Sequence, residues 1–376
     1  RGENSVVAAR NKRNFYFHKN VYGENDNMVL DLQTGQGYVN WGESHLYFCV
    51  KVTTNDASDW SLDTGSACNF IRDVIVTSRS GVEVDRINDL NHYRIIKDHL
   101  SENVEFFSNK GKNMGYNVGT QSSGAEVCFS IPMNKVAPVF DTKGILMPAY
   151  LCSGLRLEIQ TDSVANAISS ATATSATLEI TKPYIKCDVH LLSETAQRKM
   201  TDVASSNGLE FSWHAWHRSQ FNSTNNSLFA EIRKTTSKAL CAMATSRTDS
   251  VLNNISAPSL ACDVFDTKTS QWRLGSQYFP QNKLETDAEH YDNVLYSLAR
   301  PDKHNYQKDR FENDIGVVAA LLERSHIISD AYLPINNSRS LGLDVTFDSA
   351  VSRQVNVYLK YLKLAKIFIS NTVILE

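Results

Sequence analysis

Apolar and polar residues alternate along several short segments of the chain, which predicts half-buried β-strands. The clearest alternation runs through His45–Val52, Leu209–Trp216 and Leu341–Phe347, where every second residue is apolar or small. A period of two places successive side chains on opposite faces of a sheet. Similar segments predict strands at 68–77, 82–87, 127–131, 155–160, 178–192, 227–232, 238–245 and 354–368. Many short strands joined by long loops are typical of an antiparallel sandwich.

Three segments carry helical signals instead. Thr286 and Glu289 have the spacing of a capping box, apolar residues then recur at helical spacing as far as Leu298, and Pro301 follows. Shorter helices are predicted at 88–100 and 194–204. Long loops are predicted at 101–125, which is rich in Asn, Gly and Ser, and at 163–177, which is rich in Ala, Ser and Thr. Pro183 interrupts the segment 178–192 and favours an edge strand or a β-bulge there.

The order of elements occurs twice: strands, a helix after the early strands, a long loop and a long closing strand. A length of 376 residues favours two domains. We therefore predict an all-β chain with two tandem antiparallel sandwiches at 21–200 and 201–376, decorated by short inserted helices and long loops. Residues 1–20 carry five basic residues against Glu3 and are interpreted as a basic N-terminal arm. This arm is either a solvated, disordered terminus or a segment that reaches a neighbouring subunit or an anionic surface.

Composition limits the kinds of partner. Lys and Arg number 38 and Asp and Glu 41, giving a net charge of −3. A nucleic-acid-binding protein needs a basic face, so DNA or RNA is not expected as the main partner. No apolar run approaches the ~20 residues that a membrane-spanning helix requires, and no transmembrane segment is predicted. The chain begins at Arg1 rather than Met, from which we expect a trimmed or processed N-terminus; loss of a signal peptide is an open alternative.

The seven cysteines show no Cys-x-x-Cys spacing, and several lie in apolar, strand-like segments, among them Cys49 and Cys241. Their number is odd. We therefore expect reduced packing residues in a chain that folds inside a cell, rather than disulfides or a metal site.

One segment, Leu62-Asp63-Thr64-Gly65-Ser66, matches the aspartic-protease signature. That chemistry needs two carboxylates about 3 Å apart that share one proton. A single-chain protease should therefore carry a second Asp-Thr/Ser-Gly, and the nearest candidate, Asp348-Ser349-Ala350, lacks the glycine. Because Asp, Thr and Gly all favour turns, we interpret Asp63-Thr64-Gly65 as a turn.

Histidines give no convincing metal site. His214 and His217 lie three residues apart on a predicted strand, so they point to opposite faces and do not chelate one ion together. His290 lies beside Asp287 and Glu289 on the predicted helix and is interpreted as part of a solvated face. No phosphate-binding loop, dinucleotide motif, zinc-protease motif or nucleophile elbow occurs in a supporting context. We predict no catalytic residue, no cofactor and no metal ligand, and therefore no enzyme.

A resemblance to a known family is carried by the segment 271–347. Trp272–Pro280, the capped helix, Leu322–Ser325 and Pro334–Arg339 together resemble the C-terminal half of double jelly-roll major capsid proteins. The similarity is greatest to those of polinton-like and adintovirus-type DNA viruses, and virophages are more distant. In the first half, Gly81–Leu90 is similar to a family segment that follows an early strand.

This resemblance implies two jelly rolls standing side by side in each subunit. Three subunits would form a pseudo-hexameric homotrimer that tiles an icosahedral capsid, with neighbouring capsomers, penton proteins and minor capsid proteins as partners. The protein would fold inside the host cell and reside in the virion. Two other functions remain open: a β-sandwich attachment or carbohydrate-binding protein, and, less favoured, an aspartic protease acting through Asp63.

Overall fold

The computed structural model describes residues 6–62, 64–142, 145–257, 266–298, 306–322, 332–370 and 372–375. Strands dominate this part of the chain and form four sheets, in which every pair of neighbouring strands is antiparallel. The sheets are stacked as two sandwiches, one in each half of the chain. Their inward positions are filled by the apolar residues whose alternation is visible in the sequence, among them Leu46, Phe48, Leu343 and Val345, which are all buried.

The strands of the first sandwich are β1 (Val7–Tyr16), β2 (Val21–Tyr22), β3 (Asn27–Asp31), β4 (Tyr38–Thr54), β5 (Ile71–Thr77), β6 (Glu83–Ile87), β7 (Glu126–Pro132), β8 (Arg156–Thr161) and β9 (Ala176–Leu192). One sheet has the order β1-β9-β4-β7, with β2 also paired to β9, and the other has the order β3-β8-β5-β6.

The strands of the second sandwich are β10 (Leu209–Ser223), β11 (Ser227–Ile232), β12 (Thr236–Thr248), β13 (Thr267–Leu274), β14 (Gln277–Leu284), β15 (Val318–Leu321), β16 (Leu333–Ile335), β17 (Leu341–Phe347), β18 (Arg353–Ile367) and β19 (Val373–Leu375). One sheet has the order β10-β18-β12-β15, with β16 added to β12 and β19 to β18; the other has the order β11-β17-β13-β14.

The two sandwiches share one topology. Apart from the short strands β2, β16 and β19, each sandwich has eight strands. When these eight are counted in chain order, the first, eighth, third and sixth strands lie side by side, in that order, in one sheet. The second, seventh, fourth and fifth strands lie side by side, in that order, in the other sheet. This is the strand order of a jelly roll. The prediction of an all-β chain with two tandem antiparallel jelly-roll sandwiches is therefore confirmed.

The interpretation of residues 1–20 as a basic arm is wrong for most of its described part. Val7–Tyr16 forms β1, which is paired along its length with β9 and is the first strand of the first jelly roll. Arg10 Nε donates a hydrogen bond to Asp188 on β9 at 2.7 Å. Most side chains of β1 are exposed because it lies at the edge of its sheet, so the strand has no apolar alternation in the sequence. Residues 1–5 lie outside the described part of the chain.

The helices are α1 (Leu90–Ser101), α2 (Val104–Ser108), α3 (Lys110–Met114), α4 (Met133–Val136), α5 (Ala149–Cys152), α6 (Val164–Ala167), α7 (Glu194–Ser206), α8 (Asp287–Leu298) and α9 (Lys308–Asn313). The three predicted helices correspond to α1, α7 and α8. The capping box before α8 is confirmed, since Glu289 N–H donates to Thr286 Oγ1 at 3.3 Å and Thr286 N–H donates to Glu289 Oε2 at 3.0 Å. The predicted domain boundary between residues 200 and 201 falls inside α7, which connects the two sandwiches. No helix in the described residues is both long and apolar enough to span a membrane.

The segment predicted as a loop at 101–125 instead contains α2 and α3. Both helices are five residues long, too short to show a helical period in the sequence. Phe107 and Met114, with Tyr116 after them, are buried against the first sandwich, whereas Val104 at the start of α2 is exposed. In the other predicted loop, 163–177, the structure has the single turn α6. The irregularity at Pro183 is a bulge and not a sheet edge, because β9 lies between β1 and β4 and its register with β4 shifts there.

Two cysteines form a disulfide, which corrects the expectation that all are reduced. Cys49 on β4 and Cys128 on β7 are directly opposite each other, with Cα atoms 3.9 Å apart, and their sulfurs are bonded. Cys49 lies on the sheet face opposite Phe48 and Val50, so the packing interpretation does not apply to it. The expectation is confirmed for Cys68, Cys152 and Cys187, which are buried and in no disulfide. Cys241 is also buried, and Cys262 lies outside the described residues.

Candidate functional site at the interface of the two sandwiches

The protease-like motif forms a turn in its described part. Asp63 itself lies outside the described residues. Gly65 N–H donates to Leu62 C=O at 2.9 Å, and Ser66 then caps a short 3₁₀ turn at Ala67–Phe70. Asp348, the carboxylate considered as its counterpart, follows β17 in the other sandwich, where its N–H donates to Asp266 C=O at 2.9 Å.

The candidate metal ligands do not converge. His214 and His217 lie on β10, a strand as predicted. Among the described residues, one group of three metal-binding side chains has converging ligand atoms, namely Cys49, Glu126 and Cys128. Two of its members are joined in the disulfide and provide no thiolate for a metal.

The interpretation of His290 as part of a solvated face is wrong. His290 on α8 is buried, with Nδ1 2.8 Å from Thr286 C=O and Nε2 2.9 Å from Ser270 Oγ on β13. Burial lowers its pKa. The neighbouring Asp287 and Glu289 are exposed, which is what the sequence pattern reflects. His290 therefore attaches the helix to the sheet.

A set of buried polar groups lies where the two sandwiches meet. α1, β6 and the 3₁₀ turn Pro138–Phe140 of the first sandwich pack against the sheet containing β10, β12 and β18 of the second. Tyr93 on α1 contacts both Trp216 and Tyr358, with ring centroids 5.0 and 5.9 Å apart. These residues belong to the hydrophobic cluster that fills the first sandwich and extends onto the facing sheet of the second. The interior of the second sandwich, with Leu343 and Val345, is a separate cluster. The interface is thus continuous with the core of the first sandwich.

His92 lies at the centre of this interface and is 0% exposed. Its Nδ1 is 3.1 Å from the Tyr358 hydroxyl on β18, and its Nε2 is 3.3 Å from Thr245 Oγ1 on β12. Burial lowers the pKa of His92 well below its ordinary value, and the positive charges of Arg247 and Arg218 act in the same direction. The imidazole is therefore neutral at physiological pH, and it connects α1 to two strands of the second sandwich.

A charged cluster lies beside His92. The carboxylate of Asp89, the residue before α1, is 2.6 Å from Arg218 on β10 and 3.7 Å from Arg247 on β12. Arg218 also donates from Nε to Asn356 Oδ1 at 3.1 Å. Charge-assisted hydrogen bonds with limited access to water are among the stronger polar contacts in proteins. This cluster fixes the start of α1 against the second sandwich.

A second polar contact crosses the interface at β6. Asp85 is buried and its Oδ2 accepts a hydrogen bond from Val139 N–H at 2.8 Å. Burial raises the pKa of Asp85 to about 6, although the nearby ammonium of Lys363 opposes this shift. Lys363 on β18 donates from Nζ to Val84 C=O at 2.5 Å. Aromatic packing, a buried histidine, the ion pairs of Asp89 and the hydrogen bond from Lys363 therefore hold the two sandwiches in one orientation.

The outer face of the first sandwich carries a row of aromatic side chains. Tyr16 on β1, Tyr184 on β9 and Tyr47 on β4 lie side by side across three strands, with successive ring centroids 5.9 and 5.0 Å apart. Tyr16 is 66% exposed. Exposed, contiguous aromatic groups are typical of surfaces that contact another protein. We refer to Tyr16, Tyr184 and Tyr47 as the tyrosine row.

Comparison with solved structures shows the fold. The chain is similar over 100% of its length to 98% of a subunit in the quasi-atomic capsid of the virus PBCV-1, with a TM-score of 0.68 and 11% identity. It is similar over 96% of its length to 91% of the Faustovirus major capsid protein (TM-score 0.66, 6% identity). It is also similar over 100% of its length to 93% of the mavirus major capsid protein (TM-score 0.58, 10% identity). The sequence matches no protein-family model, and no curated protein matches it significantly. The chain therefore has the double jelly-roll fold.

Proposed function

We propose that this chain is a viral major capsid protein, the structural subunit of an icosahedral DNA-virus capsid. The observation that carries the proposal is the presence of two jelly rolls of identical strand order in one chain. Their arrangement matches the capsid subunits named above from end to end. The resemblance of Trp272–Pro280 and Pro334–Arg339 to the polinton-like and adintovirus-type proteins favours that group of viruses.

The proposed assembly is a homotrimer with a pseudo-hexagonal outline. Each subunit contributes two jelly rolls of equal topology, so that three subunits present six similar units around one axis. The aromatic packing and the charged cluster at the interface support this geometry, because they keep the two sandwiches of a subunit in one orientation. The tyrosine row provides an exposed aromatic surface for contact between subunits. The near-neutral charge of −3 is compatible with dense self-packing.

The proposal places the protein in the capsid shell of the virion after folding inside the host cell. Neighbouring capsomers, penton proteins and minor capsid proteins are the proposed partners, and no specific nucleic-acid contact is proposed. Its two structural units correspond to the sandwiches on either side of α7. The role is mechanical, and none of the described residues is given a catalytic part.

Negative-stain electron microscopy of the purified protein, with light scattering on the same sample, tests the proposal. We expect trimers with a hexagonal outline, or closed shells. A strictly monomeric species at high concentration would contradict it. A monomer with saturable glycan binding in an array would instead support an attachment or carbohydrate-binding protein.

A further inference from the structure

A cavity of about 490 Å³ lies between the two sandwiches, beside α1. Its wall combines residues of both sandwiches. Arg94 and Lys97 on α1 and Lys135 on α4 come from the first, and Lys360 on β18 comes from the second. The cavity is therefore lined by four cationic side chains from three separate segments of the chain.

Two of these cations have no carboxylate partner among the described residues. Lys97 and Lys360 take part in no ion pair there, in contrast to Lys135, which bonds to Asp98 at 2.7 Å and also to Glu102. Burial, together with the positive charge of Lys360, lowers the pKa of Lys97 to about 8. The two ammonium groups thus repel each other across the cavity, which destabilises the empty site.

Arg94 adds a hydrogen-bond donor without an acceptor. Its guanidinium shares Asp98 with Lys135, at an Nη1–Oδ1 distance of 3.2 Å, but its Nε has no hydrogen-bond partner among the described residues. Arg94 is only 5% exposed. Buried polar groups in folded proteins nearly always have partners, and leaving a donor unsatisfied costs free energy.

The acidic groups at the cavity do not balance these cations. Asp98 already accepts from Arg94, Lys135 and Tyr116, and Glu102 is bound to Lys135. Asp141 also lines the cavity but is itself exposed to solvent. Positive charge therefore remains in excess on the side formed by Lys97 and Lys360.

We propose that this cavity binds a small multivalent oxoanion of the inorganic phosphate class, held by Lys97, Lys360 and Arg94. Such an anion has several acceptor oxygens for ammonium and guanidinium donors, and its charge removes the repulsion between the lysines. Because Lys97 and Lys360 belong to different sandwiches, the bound anion joins α1 to β18. It thereby stabilises the folded two-sandwich subunit by mass action. This inference is independent of the capsid function.

Isothermal titration of the purified wild-type protein with sodium phosphate at pH 7 is the direct test, with sodium chloride at equal ionic strength as the reference. We expect one phosphate bound per chain and a higher melting temperature in phosphate than in chloride. The substitutions Lys97→Met and Lys360→Met should each weaken phosphate affinity about tenfold, because each removes one charge-assisted contact. Lys112→Met on α3 and Lys268→Met on β13 remove exposed lysines outside the cavity and serve as matched controls, which should bind as the wild type does.

Two results would overturn the inference. One is the absence of saturable phosphate binding to the wild-type protein, a measurement that does not depend on any variant folding. The other is an equal rise in melting temperature for the wild type and all four variants, which would mean that phosphate acts only as a general stabilising salt.

Discussion

Asp89 and Arg218 form an ion pair 2.6 Å long that joins the first sandwich to the second. Their side chains are 15% and 16% exposed, so water screens the pair only weakly. Arg247 approaches the same carboxylate from β12 at 3.7 Å. One acidic group thus lies close to two arginines from two strands of the second sandwich, and its removal takes the carboxylate of the short pair away from Arg218.

We expect Asp89→Asn to lower the free energy of unfolding by about 2–3 kcal/mol, because a partly buried charge pair loses one partner while the other stays desolvated. Urea denaturation monitored by circular dichroism measures the change. The matched control is Glu83→Gln, which breaks the exposed pair between Glu83 and Arg86 and should cost less than about 1 kcal/mol. Equal costs for the two substitutions would show that the Asp89 cluster does not hold the sandwiches together.

The sequence predicted much of the fold because the decisive signals are local. Alternation in β4, β10 and β17 identified the strands and their inward faces, and the capping box identified α8. β1 was missed because an edge strand with exposed side chains on both faces has no apolar period. The five-residue helices α2 and α3 were missed because they are shorter than the window in which a helical period can be recognised.

The interface could not be predicted from the sequence, because its contacts join residues that are far apart in the chain. His92 and Tyr358, and likewise Asp89 and Arg218, meet only after both sandwiches have formed. The pairing of Cys49 with Cys128 has the same cause, since it depends on the register between β4 and β7. The burial of His290 was not predicted, because its neighbours in sequence on α8 are exposed and polar and the pattern gives no sign of one buried position among them.

His92 should make the stability of the protein depend on pH. Its folded-state pKa lies well below the ordinary value of 6.5, so the unfolded chain binds a proton more readily than the native protein does. The stability associated with the neutral imidazole is therefore present above about pH 6.5 and decreases as the pH falls below it, by up to about 1.4 kcal/mol per pH unit. His92→Gln removes this contribution, so the difference in unfolding free energy between wild type and variant should shrink from pH 7 to pH 5.

The difference between the two proteins is the informative quantity, because other groups also titrate in this range. The pKa of Asp85 is raised to about 6, so this carboxyl acts in the opposite direction, but equally in both proteins. A difference between His92→Gln and the wild type that stays constant from pH 7 to pH 5 would disprove the prediction.

The disulfide should contribute to stability in oxidising conditions. It closes a loop between residues 79 positions apart, and we expect its reduction to lower the free energy of unfolding by about 2–4 kcal/mol. Urea denaturation with and without dithiothreitol measures this effect. The double variant Cys49→Ser/Cys128→Ser should be as unstable as the reduced wild type and insensitive to dithiothreitol. Alkylation of Cys49 and Cys128 in unreduced, denatured protein, detected by peptide mass spectrometry, would contradict the presence of the bond.

The tyrosine row should matter for assembly and not for folding of the subunit. Tyr16 is 66% exposed at one end of the row, so Tyr16→Ser removes little from the core and should leave the melting temperature of the isolated subunit within about 2 °C of the wild type. If the tyrosine row lies between subunits of the proposed trimer, Tyr16→Ser should raise the trimer dissociation constant about tenfold or more. The reason is that truncation of a tyrosine at the centre of an interface typically costs over about 1 kcal/mol of binding free energy. Tyr278 is 49% exposed on β14 of the second sandwich, and Tyr278→Ser is the matched control. Sedimentation equilibrium of the three proteins measures the dissociation constants. Equal constants for Tyr16→Ser and the wild type would show that the tyrosine row is not part of the contact between subunits. The trimer itself is tested separately, by its outline in the electron microscope.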